Sequence, residues 1–348
     1  MGAVLTVDSV CHRRGGREVL RIDALEVHAG ERLGLLGLNG AGKTSLLRLL
    51  AGIDVPAVGE VRVDGVPTAT GGATLRRRIA YAPQRPVLLS MSVIRNVELP
   101  LRYRRIGRTE RRATAAAALA RLGIEHLAER PAAALSAGEA QSVSLARALA
   151  CDPAALLLDE PAGSLDAPTR ADFFADVERA LVGRPTTVVL VSHRAEEVVR
   201  LADRVAVLVA GDLRQVAPAD ELVAQPADPA VARLVGYENV FHVEINQDGT
   251  VLLNGQPTGV TAAPHSAEAT LAAWATAVEL HPLGVRPLVA AVRRVTSAQG
   301  RHDVALDAGT RLHAHLPLDS DPPAVGTEVA VDFNPALVRL LDRHDTRH

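Results

Sequence analysis

Residues 37–44 read Gly-Leu-Asn-Gly-Ala-Gly-Lys-Thr, and no other stretch narrows so far what this chain can fold into. The run follows the apolar segment Leu33-Gly-Leu-Leu and opens a helical pattern from Lys43 to Ala51. Strand, glycine-rich turn and helix in that order make a phosphate loop. Its glycines let successive backbone N–H groups turn inward around phosphate oxygens, and the helix N-terminus adds its positive end. Lys43 then places a charge near the γ-phosphate, and Thr44 can ligate magnesium. ATP or GTP with Mg2+ is the expected ligand, and Gly37, Asn39, Gly40, Ala41, Gly42, Lys43, Thr44 and Ser45 are the candidate contacts. Lys43 is the only lysine in the chain. A composition that uses arginine everywhere else keeps a compact ammonium at the one place where a planar fork suits the phosphate cradle poorly.

From Val4 to about Val235, short β-rich apolar runs alternate with helical patterns, as in Ala155 to Leu158 before Pro168 to Val182 and Thr187 to Val191 before Ala195 to Leu201. This alternation predicts an α/β domain over 1–235 with a largely parallel sheet. Arg108 to Leu122 and Gly138 to Ala150 read as helices with little strand between them, so a helical insertion is expected at about 85–150. The proline-containing segment Gln225-Pro-Ala-Asp-Pro-Ala leads to a change of pattern near Val235. Beyond it, alternating segments such as Phe241-His-Val-Glu-Ile and Glu328-Val-Ala-Val-Asp-Phe, divided by turn signals like Leu253-Asn-Gly-Gln, predict a small, mostly β domain over 236–348.

Two carboxylates close the apolar run Ala155-Leu-Leu-Leu-Asp-Glu-Pro, which places Asp159 and Glu160 at the C-terminal edge of a strand, where parallel sheets bind ligands. Asp159 fits the role of holding magnesium and Glu160 that of polarising the attacking water. His193, in Val191-Ser-His, ends the next predicted strand and reaches the same edge. A histidine after a strand is commonly structural; here its relation to the two carboxylates favours contact with the γ-phosphate.

Other classes are bounded by composition. The formal net charge is -2, which gives no reason to expect nucleic acid as a partner. The two cysteines, Cys11 and Cys151, are too few and too far apart for a disulfide framework or a metal cluster. The N-terminal segment lacks a secretory pattern and no apolar run is long enough to span a bilayer, so a cytoplasmic protein that reaches a membrane through a partner is expected.

In the correct order over about 4–225, these segments resemble the ATP-binding-cassette ATPase family. Tyr81-Ala-Pro-Gln84 is similar to its Q-loop, Leu135-Ser-Ala-Gly-Glu139 to its signature and Gly163-Ser-Leu-Asp166 to its D-loop. The resemblance implies that Gln84 senses magnesium and the attacking water and links them to a permease contact in the helical insertion. It also implies that Ser136, Ala137, Gly138 and Glu139 face ATP held by a second copy, with Asp166 in the D-loop between them. The signature precedes a helix whose N-terminal amides suit an anion. Two positions depart from the family. Ala137 replaces a glycine, which crowds the nucleotide if the backbone there has positive φ. Arg14 stands where an aromatic residue stacks on adenine; a guanidinium plane can stack too, so altered base contact is expected.

More weakly, Gly236-Tyr-Glu-Asn-Val and Val325-Gly-Thr-Glu-Val-Ala-Val-Asp-Phe resemble the small OB-like or TOBE-like regulatory domain of importer ATPases. That favours an importer, so that the homodimer implied by the signature would sit on the cytoplasmic face of the cell membrane, working with permease subunits and an extracytoplasmic solute-binding protein. Gly15-Gly-Arg-Glu-Val-Leu-Arg and Gln84-Arg-Pro-Val-Leu-Leu are similar to tungstate and molybdate importer subunits; sulfate, iron, polyamine and sugar importers are the alternatives. The rivals from other classes are a soluble cassette ATPase acting on ribosomes or DNA and an ATP-binding regulatory protein without useful hydrolysis. His313 and His315 alternate on one face of a predicted strand and read as a solvent face, and Trp274 reads as a core side chain.

Overall fold

The computed structural model describes residues 2–263, 268–284, 286 and 288–341. They divide into two compact units that part after Asp220. The first unit is built on ten strands: β1 (Leu5–Arg14), β2 (Arg17–Val27), β3 (Arg32–Leu36), β4 (Val58–Val63), β5 (Val66–Pro67), β6 (Ile79–Ala82), β7 (Ala155–Asp159), β8 (Thr187–Ser192), β9 (Arg204–Val209) and β10 (Asp212–Pro218). Their order in one sheet is β5-β4-β1-β2-β10-β9-β3-β8-β7-β6.

The sheet is mixed, which corrects the expectation of a largely parallel one. From β9 through β3, β8 and β7 to β6 every pairing is parallel. Strands β5, β4, β1 and β2 pair antiparallel, as do β9 and β10. The reason lies in the Gly15-Gly16 turn between β1 and β2, where both residues have positive φ (57° and 80°). Two such residues fold a chain straight back into a hairpin, which leaves no room for the crossover helix that a parallel pair needs.

The parallel half is apolar along its middle, with polar residues at strand ends, and β7 and β8 are buried along their whole length. Strands covered on both faces read as continuous apolar runs for this reason. Seven helices accompany the sheet: α1 (Lys43–Leu50), α2 (Gly72–Arg76), α3 (Val93–Tyr103), α4 (Arg108–Arg121), α5 (Ala137–Leu149), α6 (Ala167–Leu181) and α7 (Ala195–Leu201). Leu46, Leu47, Leu49 and Leu50 of α1 are fully buried in the core with Leu33, Leu35 and Ile22. Each such side chain contributes about 1.5–3 kcal/mol relative to exposure. Helices α3, α4 and α5 fall between β6 and β7, within the span expected for an insertion. Sequence reading named no helix at α3, whose buried face of Val93, Ile94, Val97 and Leu101 is interrupted in pattern by Pro100.

The second unit opens with α8 (Ala219–Ala224), which spans the division, and α9 (Pro229–Val235). Ten strands follow: β11 (Asn239–Ile245), β12 (Thr250–Leu253), β13 (Gln256–Thr261), β14 (Glu268–Ala273), β15 (Val278–His281), β16 (Leu288–Ala298), β17 (Arg301–Asp307), β18 (Arg311–Pro317), β19 (Glu328–Phe333) and β20 (Val338–Leu341). They make two antiparallel sheets, β13-β12-β11-β14-β20 and β15-β19-β16-β17-β18, which share one core. The boundary expected at 235/236 lies inside this unit. Asp228 caps α9 by accepting from the Ala230 and Val231 amides at 2.7 and 2.9 Å, and Val231, Ala232 and Val235 are buried. Tyr237 donates to Val223 O at 3.0 Å, so the proline-containing stretch folds back onto the β unit instead of serving as a linker. Trp274 packs at 4.4 Å on Tyr237 and against this core, as a core side chain should.

Candidate active site

Strands β3, β7 and β8 end level with one another, with Leu36 opposite Ser192 and Asp159 opposite Val191. That edge gathers the phosphate loop, both carboxylates and His193. Gly42 caps α1 with φ 97°, and a Cβ there would lie 2.7 Å from Val19 O, so glycine is required twice over. Lys43 is 5% exposed and donates to Gly37 O at 2.7 Å and Leu38 O at 3.0 Å, while its ammonium stands 3.5 Å from Glu160 Oε1. Burial pulls its pKa down, and Glu160 pushes it back up.

Asp159 is 2% exposed, yet both its oxygens are engaged: Thr44 donates to Oδ1 at 3.0 Å and Tyr81 to Oδ2 at 2.9 Å. Burial pushes the Asp159 carboxyl up, and the bonds from Tyr81 and Thr44 work in the opposite direction. Burial also raises the Tyr81 phenol, so that it stays a donor.

Glu160 is held in a left-handed backbone conformation (φ 42°), its amide donating to Val191 O at 3.1 Å. Such strain in a non-glycine residue marks functional sites. Its Oε2 accepts from Gln84 Nε2 at 3.1 Å and lies 3.3 Å from His193 Nδ1. Lys43, Gln84 and His193 therefore converge on one carboxylate. These groups, with Asn39, Gly40, Gly42, Thr44, Ser45 and Gly163, line a cavity of about 640 Å³, and Arg14 and Val19 close one wall. Arg14 is thus positioned beside the space a nucleotide would fill.

The Thr44 hydroxyl lines this cavity, and the Asp159 carboxylate lies directly behind it, accepting from that hydroxyl at 3.0 Å, so that two hard oxygen ligands stand side by side. No cluster of three His, Cys, Asp or Glu side chains suited to a metal occurs among the described residues. One carboxylate and one hydroxyl suit magnesium, which keeps most of its shell as water and phosphate oxygens.

Ser136, Ala137, Gly138 and Glu139 are not among the lining residues. They form the start of α5, where Ser136 Oγ accepts from the Glu139 amide at 3.3 Å and Glu139 Oε2 accepts from the Ser136 amide at 2.7 Å. This reciprocal capping box leaves the turn rigid and half-exposed. Ala137 is the first helical residue and has no positive φ, so the crowding expected from a left-handed alanine does not arise. Asp166 caps α6 by accepting from the Thr169 amide at 3.0 Å.

Sequence reading did not assign roles to Tyr81, Asn96 or Gln141. Gln141, 3% exposed on α5, donates to Gln84 O at 2.8 Å and ties the signature helix to the Gln84 loop. Asn96, fully buried on α3, accepts from Leu89 N at 2.8 Å and donates to Ser92 O at 3.2 Å, which fixes the segment after Gln84. Tyr81 lay within a segment already singled out; for the other two nothing local in the sequence points to the partner.

A phosphate loop on a parallel sheet edge, two carboxylates at the next strand end and a histidine on the third define a P-loop ATPase. The ABC transporter family profile matches residues 20–163. The sulfate/thiosulfate import ATP-binding protein of Methylococcus capsulatus is 38% identical, over 67% of this chain and 68% of its own. The molybdate/tungstate import ATP-binding protein of Thermococcus kodakarensis is 39% identical, over 67% and 70%. Relatives named for spermidine/putrescine import in Treponema pallidum and glucose import in Saccharolobus solfataricus match at 34% and 35% identity, covering 69% and 66% of this chain and 63% and 66% of theirs. Among solved structures, a dimeric post-hydrolysis state of the cassette MJ0796 bound to ADP and Pi aligns with a TM-score of 0.57 at 27% identity, over 62% of this chain and 98% of that one. The chain belongs to the ATP-binding-cassette transporter family, and it is an ATPase.

Proposed function

We propose that this chain works as a homodimer beneath membrane permease subunits, at the cytoplasmic face of the membrane, and energises import of a small oxyanion such as molybdate or tungstate. One observation carries the dimer: the cavity at Lys43 is lined without Ser136–Glu139, although the Ala137 and Gly138 amides, left over by the capping box, stand at a helix N-terminus suited to phosphate. A second copy supplies the missing turn, with Asp166 in the segment between the two sites. Within each site Glu160 polarises the attacking water, His193 contacts the γ-phosphate, and Gln84 reports on both. Thr44 and Asp159, with Gln84, would hold magnesium, which would supply positive charge against the phosphate oxygens. Among the described residues no helix is long and apolar enough to cross a membrane.

The dimer is tested by complementation. Lys43→Ala and Ser136→Arg chains are each expected to be inactive, and mixing them is expected to restore about a quarter to a half of turnover, because one composite site per heterodimer is intact. Mixtures as inactive as the parents would remove the shared site.

The oxyanion reading rests on the sulfate and molybdate/tungstate relatives and on the second unit. There a cavity of about 570 Å³ is lined by Arg293, Arg294, Arg311 and His313. Calorimetric titration of the full chain with molybdate, tungstate, sulfate, spermidine and glucose tests it. Saturable binding of an oxyanion supports the reading with the β unit as its sensor; binding of glucose or spermidine instead replaces it with the sugar or polyamine alternative.

A further inference from the structure

Arg170 lies on α6 beyond the Gly163–Asp166 segment, yet its guanidinium reaches back to the turn that follows Glu160. Its Nη2 donates to Leu165 O at 2.5 Å and its Nε to Ala162 O at 3.4 Å. The same Nε stands 3.4 Å from Glu197 Oε1. Glu197, on α7 and 7% exposed, accepts through Oε2 from the Ser192 hydroxyl at 2.6 Å. Its Oε1 makes no hydrogen bond and faces only the guanidinium groups of Arg170 and Arg194, the latter at 3.5 Å. Ser192 is buried, accepts from the Arg194 amide at 3.0 Å and immediately precedes His193. At the other end, the Gly163 amide donates to Glu160 O at 3.1 Å, and Gly163 lies on the cavity wall.

A continuous polar chain therefore runs from the Ala162–Leu165 turn through Arg170, Glu197 and Ser192 to the residue before His193. Both ends meet again at Glu160, the first through Gly163 and the second through the imidazole. A buried ion pair of this kind adds little net stability over well-packed apolar side chains, so its retention calls for a geometric reason. Here the two segments it joins both end at Glu160, one at its backbone carbonyl and the other at its carboxylate.

We propose that Arg170 and Glu197 are positioning residues for hydrolysis, forming a strut that holds the turn after Glu160 and the His193 backbone at a fixed separation. The proposal rests on the reading of Glu160 and His193 as hydrolytic groups. Without the strut, the imidazole and the Gly163 turn move independently about Glu160, and the γ-phosphate environment loosens while nucleotide binding at the phosphate loop is retained.

The test is steady-state ATPase of the full chain carrying Arg170→Met, Glu197→Met, the double substitution, Ser192→Ala and the conservative Glu197→Gln, each with its melting temperature. Arg170→Met and Glu197→Met are expected to lower kcat about tenfold to a hundredfold with KM for ATP within about twofold, since small misplacements of reacting groups act at this scale. The double variant should be no slower than the slower single, because both break one strut. Ser192→Ala should lower kcat similarly with its fold intact, and Glu197→Gln, which keeps an acceptor for Ser192, should recover part of the loss. Wild-type kcat in Ser192→Ala and Glu197→Met, multiplicative losses in the double variant, or kcat losses that follow melting temperature across the set would overturn the proposal. Glu160→Gln run alongside separates the two ideas: normal turnover there removes the reading of the site itself, whereas an inactive Glu160→Gln beside wild-type strut variants removes only the strut.

Discussion

The cavity at Lys43 and the cavity at Arg294 are close in size, about 640 and 570 Å³, but they are built on opposite terms. In the first, Arg14 is exposed, but the groups at the phosphate loop are taken out of water: Lys43 is 5% exposed and Asp159, bonded to the lining residue Thr44, 2%, and each has its pKa displaced towards the neutral form by burial. In the second, Arg293, Arg294 and Arg311 are exposed, and only Arg293 is bound to a carboxylate, Asp307, at 2.8 Å. Desolvated charges strengthen every interaction with an incoming phosphate, and they weaken the fold while the site is empty. Exposed arginines cost the fold nothing and bind an anion through a screened field. The contrast predicts that substitutions in the first cavity exchange activity for stability, whereas those in the second affect neither.

The largest effect is expected from Glu160→Gln. Its carboxylate is the point on which Lys43, Gln84 and His193 converge, and a carboxamide cannot take a proton from water. Turnover should fall about 10³-fold, within the range for loss of a general base, with ATP affinity kept within about threefold. Single-turnover hydrolysis and nucleotide titration of the same preparation check both halves. Substantial turnover in this variant would place the base elsewhere.

Next in size is Lys43→Arg. The ammonium fits between Gly37 O and Leu38 O at 2.7 and 3.0 Å, a gap that a planar fork cannot enter without displacing the loop. A loss of about tenfold to a hundredfold in ATP affinity is expected, or about 1.4–2.8 kcal/mol. Unchanged affinity would mean that the loop, and not the ammonium, dominates phosphate binding.

Asp159→Asn turns the comparison into a stability measurement. The folded protein raises the pKa of this acid, so the folded state holds its proton more tightly than the unfolded chain. Its contribution is most favourable at pH below the unfolded value and is lost as pH rises through the folded value. At neutral pH the variant should therefore melt higher than the parent while losing ATPase activity, and the difference should shrink on acidification. A lower melting temperature at neutral pH would show that the bonds from Thr44 and Tyr81 outweigh the cost of burial.

The two cavities also differ in how far they could be read from sequence, for a physical reason. Phosphate-loop residues are neighbours in the chain because one turn must present its amides to one phosphate, and Asp159 and Glu160 are adjacent because a strand end places them so. Local necessity leaves local patterns. Gln141 and Gln84 are brought together across 57 positions, and Tyr81 and Asp159 across 78, by packing that no window of sequence contains. The same limit hid the antiparallel half of the first sheet, since β1 pairs with β4 across more than forty positions of sequence. It also displaced the domain boundary, because prolines around Gln225 suggest a linker until Tyr237 and α9 are seen holding that stretch in place. His315 was expected on a solvent face; its ring is only 11% exposed and lies 3.1 Å from Asp303, because β17 carries a carboxylate at the matching register.

The smallest effect is predicted for Arg294→Ala combined with Arg311→Ala. A register shift between Val292 and Arg294 in β16 falls at two consecutive arginines, and both line the cavity together with Ala305 and its pairing partner His313. Among the described residues neither Arg294 nor Arg311 makes a side-chain hydrogen bond, and Arg311 acts on the exposed Asp307 through its charge, a screened interaction whose loss costs little. Folding stability should change by no more than about 0.5 kcal/mol, as for surface substitutions generally, and ATPase activity in the absence of added oxyanion should match the parent. Any saturable oxyanion binding by the full chain should disappear. A double variant that melts markedly lower would show that these arginines support the β unit, and the cavity would then be built on the same terms as the one at Lys43.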